Sequence, residues 1–184
     1  ALAYITKEDV VKKLFDVIRI DHFRAFADYY TIPYGAKDPK QGEWEKGPNM
    51  HFWRSVERYI GKDRIIAEDL GGETPLVERL VLESGFPNMN VLQFAFNTDL
   101  QNKFLPKCYP VNCVCYTGTH DNDTTMGWYN KASEKEKIIF SKLVPKDRFD
   151  SEALRLIRYG MTSIAKLVII PIQDYLSLDS EHRM

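Results

Sequence analysis

The chain has 184 residues, 44% hydrophobic, 28% charged and 12% aromatic, a composition that excludes a disordered or collagen-like polypeptide and fits one folded domain or part of one. Its 25 Lys and Arg are offset by 26 Asp and Glu, so the net charge is -1 and there is no positive surplus with which to displace counterions from a nucleic-acid backbone. No apolar run approaches the ~20 residues of a membrane helix; the longest, Leu167 to Ile172, ends at Gln173, which excludes a membrane-spanning reading.

Thr6 can cap a first helix, with Asp9 three residues on and Ile5 placed to pack on Val10; Val10, Val11, Leu14 and Phe15 are its expected buried face. From Phe15 to Ile20 the chain turns β-branched, a short strand that ends in Arg19-Ile20-Asp21-His22. Thr31 to Met50 holds Pro33, Gly35, Pro39, Gly42, Gly47 and Pro48, too many breakers for regular structure, and reads as a long loop. His51 to Ile60 is predicted helical, with Phe52, Val56 and Tyr59 on one side and Gly61 as its stop. Arg64 to Asp69 repeats the pattern of a short apolar strand ending in carboxylates. Thr74 and Pro75 then start a helix with Val77, Leu80 and Val81 on its apolar face, stopped by Gly85.

Asn90 to Ala95 is the third predicted strand, and Cys113 to Thr117 the fourth, followed by Gly118-Thr119-His120-Asp121. Ser133 and Glu136 form a capping box for a helix to about Leu143, and Asp150 begins another carrying Leu154, Ile157, Met161 and Ile164. Leu167 to Pro171 is the fifth strand, followed by Gln173 and Asp174. Continuous-apolar strands alternating with amphipathic helices argue for a parallel α/β sheet covered on both faces. Polar groups at several strand ends favour a (β/α)₈ TIM barrel over an open sheet, which would more often carry a Gly-rich loop after its first strand. Five strands where a barrel needs eight make the whole of 1–184 a partial catalytic barrel, its C-terminal part. The chain begins with Ala1 rather than Met and stops abruptly at Met184, which leads us to expect a piece of a longer protein.

Cys108, Cys113 and Cys115 leave an odd thiol and suit a reducing cytoplasmic setting better than a disulfide framework. A single Cys-x-Cys without clustered His falls short of a zinc site, and the plain reading is small hydrophobes on a strand. Neither metal nor cofactor is expected.

Arg19 and Asp21, two apart on a strand, point to one face, so the guanidinium can lie beside the carboxylate and keep it ionised, as a nucleophile requires. An ordinary ion pair at a strand end would look the same. Glu68 ends an apolar strand after small Ala67; burial near another negative charge would let it hold a proton and act as a general acid, while an acid at a helix N-terminus is the alternative. His120-Asp121-Asn122-Asp123-Thr124-Thr125 lacks the Gly and distal Glu of a calcium loop and reads either as an Asx-rich turn or, with the other two strand ends, as a third acid of a carbohydrate site. Tyr29, Tyr30, Tyr34, Trp44, Trp128 and Tyr129 in predicted loops offer faces on which sugar rings can stack.

Five ordered segments carry a more specific likeness: Arg19-Ile20-Asp21-His22-Phe23-Arg24, Ile66-Ala67-Glu68-Asp69-Leu70-Gly71, Val91-Leu92-Gln93-Phe94-Ala95-Phe96, Tyr116-Thr117-Gly118-Thr119-His120-Asp121-Asn122-Asp123-Thr124 and Ile170-Pro171-Ile172-Gln173-Asp174. Together they resemble the signatures of the amylomaltases, 4-alpha-glucanotransferases related to the α-amylase clan. The resemblance implies a retaining transferase acting on α-1,4-glucan or maltooligosaccharide donors and acceptors through a covalent glucosyl intermediate. Asp21 matches the family's nucleophile, Glu68 its acid/base and Asp121 its transition-state stabiliser. Arg19 and His120 match flanking substrate contacts, as does His22 beside the nucleophile, and Phe94 and Asp99 lie where the family has acceptor-side contacts. Ala25 stands where the family commonly has Gly. The family's N-terminal strands, its glucan-gripping loop and an Asn-containing stretch beyond Met184 are expected outside this chain. The 184 residues alone are therefore expected to be inactive and to self-associate through unpaired edge strands. An α-glucan hydrolase of the same clan and a non-catalytic glucan-binding fragment are the alternatives.

Overall fold

A computed structural model describes residues 13–71, 74–97, 102–146, 148 and 150–183. The chain divides into two compact units, Ala1–Asn88 and Met89–Met184. Its main sheet has five strands in the order β1-β4-β5-β6-β7, formed by Ile18–Ile20, Ile65–Ala67, Asn88–Val91, Cys113–Tyr116 and Leu167–Ile169; a separate ribbon pairs β2, Asp28–Thr31, with β3, Glu43–Lys46. This is an α/β chain of parallel strands with intervening helices, as the sequence pattern predicts.

In the first unit β1 lies parallel to β4 with Ile18, Arg19 and Ile20 opposite Ile65, Ile66 and Ala67. Ala67 in turn pairs with Asn88 at the start of β5. Helix α1, Asn49–Ile60, buries Met50, Trp53, Val56 and Ile60. The expected face of Phe52, Val56 and Tyr59 is thus rotated, and Tyr59 is exposed, because Trp53 is the residue that enters the core. There it stacks on Phe23 at 5.1 Å between ring centres and meets Phe86 edge-on at 5.2 Å. Rings of this size dominate the burial energy of a small core, and truncating one costs about 3–5 kcal/mol. Helix α2, Pro75–Ser84, starts as predicted: the Thr74 hydroxyl accepts from the Val77 N–H, Pro75 occupies the first turn, and Gly85 leaves in the left-handed conformation at φ 66°.

One expectation fails here, and another is covered only in part. The breaker-rich segment is not wholly irregular, because Gly42 and Gly47 bracket a four-residue strand whose ladder partners lie upstream, Tyr30 opposite Trp44 and Tyr29 opposite Glu45. Breakers counted in one window cannot reveal a strand that pairs outside it. The helix from Thr6 falls mainly outside the described residues; of its expected face, Leu14 and Phe15 are exposed. The Arg64 guanidinium donates to the carbonyls of Phe15 and Asp16, both at 2.8 Å, holding the chain short of β1 as a connection.

The second unit is built on β6 and β7, parallel with Val114, Cys115 and Tyr116 opposite Leu167, Val168 and Ile169. Leu92, Phe96, Leu105, Cys113, Cys115, Phe140 and Leu156 form its core. The third predicted strand is shorter than expected and shifted: β5 ends at Val91 and a 3₁₀ turn runs from Leu92 to Phe96. Leu92, Ala95 and Phe96, at helical spacing, are the apolar residues it buries, together with Gln93. Helix α3, Thr125–Lys131, capped by Thr124, adds an element that the sequence pattern does not predict; α4, Glu134–Leu143, carries the predicted capping box, with the Ser133 and Glu136 side chains each accepting from the other's backbone N–H. Helix α5, Glu152–Met161, is capped by Ser151 and buries Ala153, Leu156, Ile157 and Gly160, so Met161, expected inside, is exposed. A four-residue helix, α6, Ile172–Tyr175, follows β7. Strands β1 and β7 are the ends of the sheet order, and Leu167 and Ile169 on β7 are exposed. Among the described residues no helix is long and apolar enough to cross a membrane.

Candidate active site

Asp21 and Glu68 each stand immediately beyond the last residue of a strand, on two strands that pair directly. Parallel pairing in register makes the main chain carry both residues out of the sheet at one end. The Glu68 N–H donates to the Ile20 carbonyl at 3.0 Å, and the Phe23 N–H donates to the Glu68 carbonyl at 2.8 Å. Between these two bonds lies the Asp21-His22 turn. His22 takes a left-handed conformation, φ 47° and ψ 51°, unfavourable for a residue with a Cβ. The conformation has a use: it delivers the His22 N–H to Glu68 Oε2 at 2.7 Å. Glu68 Oε1 accepts from the Leu70 N–H, also at 2.7 Å. Glu68 is 7% exposed, and the hydrogen-bond partners described for its carboxylate are thus backbone N–H groups rather than another acid.

Arg19 and Asp21 form the expected pair, Arg19 Nη2 to Asp21 Oδ1 at 2.9 Å. The Asp21 side chain is 73% exposed, so one carboxylate is open to a ligand while its neighbour Glu68 is sheltered.

In the second unit, Asp121 lies beyond β6 on a loop that closes at the first residue of α3. His120 Nε2 is 3.3 Å from Asp121 Oδ1, and both side chains are exposed. Side chains shape this loop. Asn122 Oδ1 accepts from the N–H and the hydroxyl of Thr119, both at 2.9 Å, and the Asn122 N–H returns to the Thr119 carbonyl at 3.0 Å. Arg183 Nη2 donates to the Asp121 carbonyl at 3.1 Å. Asp123 accepts from the Thr124 N–H, Lys131 Nζ and the Ser180 hydroxyl at 2.7 to 2.9 Å. Burial works to raise its carboxyl, but these donors outweigh it and hold Asp123 below the ordinary carboxylate value. A Cβ at Gly127 would meet Asp123 Oδ1 and Ser180 Oγ, so any larger residue there would displace this group. Gln93 anchors the loop from the 3₁₀ turn, its N–H donating to the Thr117 carbonyl at 3.3 Å and its Nε2 to the Asp123 carbonyl at 2.9 Å.

Phe94, on the same turn, is 41% exposed and meets Phe104 edge-on at 5.3 Å. Asp99 lies outside the described residues. Among the described residues no group of three or more His, Cys, Asp or Glu is placed to hold a metal ion. The three cysteines are free thiols. Burial in the core pushes the Cys115 thiol up to about 11.

A family model described as 4-alpha-glucanotransferase matches residues 3–184. The chain belongs to the 4-alpha-glucanotransferase family. It is 41% identical to the 4-alpha-glucanotransferase of Thermus thermophilus over 98% of this chain and 38% of that protein. The chloroplastic/amyloplastic 4-alpha-glucanotransferase of Solanum tuberosum is 42% identical over 93% of this chain and 30% of its own length. The solved amylomaltase from Streptococcus agalactiae in complex with acarbose superposes with a TM-score of 0.90 at 28% identity, covering 98% of this chain and 37% of that one. The chain thus spans less than two fifths of the length of these relatives. The fold is that of part of an amylomaltase (β/α)₈ barrel, and the family is one of glycosyltransferases. The sequence pattern assigns no site role to Asp174, Asp123 or Gln93, the side chains that hold this loop; they lie within the family-like segments, but only their tertiary partners show what they hold.

Proposed function

We propose that the full protein carrying this chain is a 4-alpha-glucanotransferase that moves α-1,4-glucan segments between maltooligosaccharides by retaining double displacement. One observation carries the reading: in a chain of this family, the buried Glu68 carboxylate accepts a hydrogen bond at 2.7 Å from the N–H of His22, the residue next to Asp21. In the first half-reaction an Asp21 oxygen attacks the anomeric carbon, the glycosidic C–O bond breaks, and the Glu68 proton passes to the leaving oxygen. In the second, an acceptor sugar hydroxyl gives its proton to Glu68 and attacks the same carbon, releasing Asp21. Asp121 stabilises the positive charge that develops on the sugar ring. Arg19, His22 and His120 contact substrate, and Phe94 and Asp99 contact the acceptor.

The chain is the C-terminal part of the catalytic barrel, with the remaining strands and the glucan-gripping loop supplied by sequence outside it. Alone it is expected to be silent and to associate through the edges at β1 and β7. Family membership and free thiols support a cytoplasmic setting. No cofactor takes part.

The test is product analysis of the full protein with maltotriose. Glucose together with oligomers longer than maltotriose is the expected result. Maltose and glucose alone would make it a hydrolase of the same clan, and no conversion with retained glucan binding would make it a binding module.

A further inference from the structure

We propose that Asp174 is a positioning residue for the loop that bears His120 and Asp121; the inference rests on the transferase reading above. Asp174 lies on α6 and is 1% exposed, so it cannot reach a substrate directly. A carboxylate so deeply buried is tolerated only when its oxygens are satisfied, and the donors that satisfy this one come from the two ends of one loop. The Thr117 hydroxyl donates to Oδ2 at 2.5 Å, the Thr125 hydroxyl to the same oxygen at 2.8 Å, and the Thr125 N–H to Oδ1 at 2.7 Å. Thr117 is the first residue beyond β6 and Thr125 the first of α3. A single side chain therefore staples together the entry and exit of the segment that displays Asp121.

Stability alone gives little reason for this arrangement. Thr117 and Thr125 are fully buried, and replacing a whole buried polar group of this kind by apolar side chains of similar shape is often nearly neutral. What the polar trio provides is directionality: three short bonds converging on one carboxylate fix the spacing of the loop ends, which apolar contacts leave loose. The exposed Asp121 has no burial of its own to fix it. Electrostatic stabilisation of a transition state depends on preorganised placement of the charge, and a shift of about 1 Å can cost 10²-fold in rate.

The decisive variant is Asp174→Asn in the full protein. It keeps the shape and one acceptor for the Thr125 N–H but turns the other position into a donor facing two hydroxyls. Expected are a fall in kcat on maltotriose of about 10- to 100-fold, KM within about two-fold, and a thermal midpoint close to wild type. Affinity for acarbose, whose unsaturated ring and basic nitrogen imitate the transition state, should fall in step with kcat/KM, while affinity for maltose stays. If Asp174→Asn does not fold, Thr117→Val removes one donor at constant shape and should show the same pattern at about 3- to 10-fold. Thr117→Ser, which restores the hydroxyl, should recover wild-type kcat. A variant that lowers the thermal midpoint but keeps kcat and acarbose affinity overturns the proposal, as does equal loss of maltose and acarbose affinity. A wild-type protein that leaves maltotriose unchanged defeats the transferase reading before any variant is made, and the proposal with it.

Discussion

The Glu68 carboxylate sits one residue beyond a strand and accepts backbone N–H bonds from both of the turns that flank it, whereas the Asp121 carboxylate stands out on a longer loop whose shape is set by side chains. The first arrangement follows from strand pairing: once β1 and β4 are in register, the main chain brings the His22 N–H to Glu68. The second depends on Asn122 and Asp123 of the loop itself and on Gln93 and Asp174, which come from two other stretches of sequence. A site group placed by main chain is hard to move without breaking the fold; one placed by side chains can be moved by a single substitution. The two regions should therefore answer mutation differently.

The largest effect belongs to Asp21, the exposed acid of the main-chain region. Asp21→Ala in the full protein should lower kcat by about 10⁴-fold or more while glucan affinity, measured by calorimetry, stays within a few-fold. Retention of a substantial part of kcat would remove Asp21 from the nucleophile's role.

Glu68→Ala comes next and probes the comparison directly. Loss of a general acid should cost about 10²- to 10⁴-fold with maltooligosaccharide donors. A glucosyl fluoride donor, whose leaving group needs no proton, would recover the rate if Glu68 served only as acid. Because its carboxylate also ties the His22 turn beside Asp21, recovery should stop about ten-fold short. Complete recovery would mean that the main chain holds the turn without the side chain.

Asn122→Ala should be milder. It deprives the Thr119 N–H and hydroxyl of their acceptor and loosens the Asp121 loop, for a loss of about 1–2 kcal/mol, or about ten-fold in kcat, with little change in thermal midpoint. An unchanged kcat would show that the loop is held without its side-chain acceptors.

The smallest effect concerns acid. The Asp123 carboxyl lies below its ordinary value of 3.8 in the folded chain, so the unfolded chain binds the proton more readily. Its contribution to stability is therefore fully present above about pH 4 and is lost as pH falls through the lower folded value. Amide exchange of the loop, followed from pH 6 to pH 3, should stay slow until below the ordinary carboxylate range. Lys131→Met, which removes one of the donors, should move that loss to higher pH; an unchanged profile would show that Lys131 does not hold the loop.

Periodicity and capping chemistry carried most of the fold. Short apolar strands, Thr74-Pro75 with Gly85 around α2 and the Ser133/Glu136 box on α4 are local signals, and local signals survive in one sequence. The acids at strand ends were legible for the same reason, as was the Arg19–Asp21 pair, whose spacing alone puts the two on one face. Tertiary structure decided what depends on distant partners. It paired Glu43–Lys46 with Asp28–Thr31 across a breaker-rich stretch, selected Trp53 over Tyr59 for the core, and ended β5 at Val91 so that Leu92 and Phe96 could pack inward. It also decided that Glu68 is met by backbone N–H groups and that Asp174, to which the sequence assigns no role of its own, bonds both ends of the Asp121 loop. Hydrogen bonds between residues 46, 49 and 57 positions apart leave no periodic mark on a single sequence, because each requires only one suitable side chain at each end.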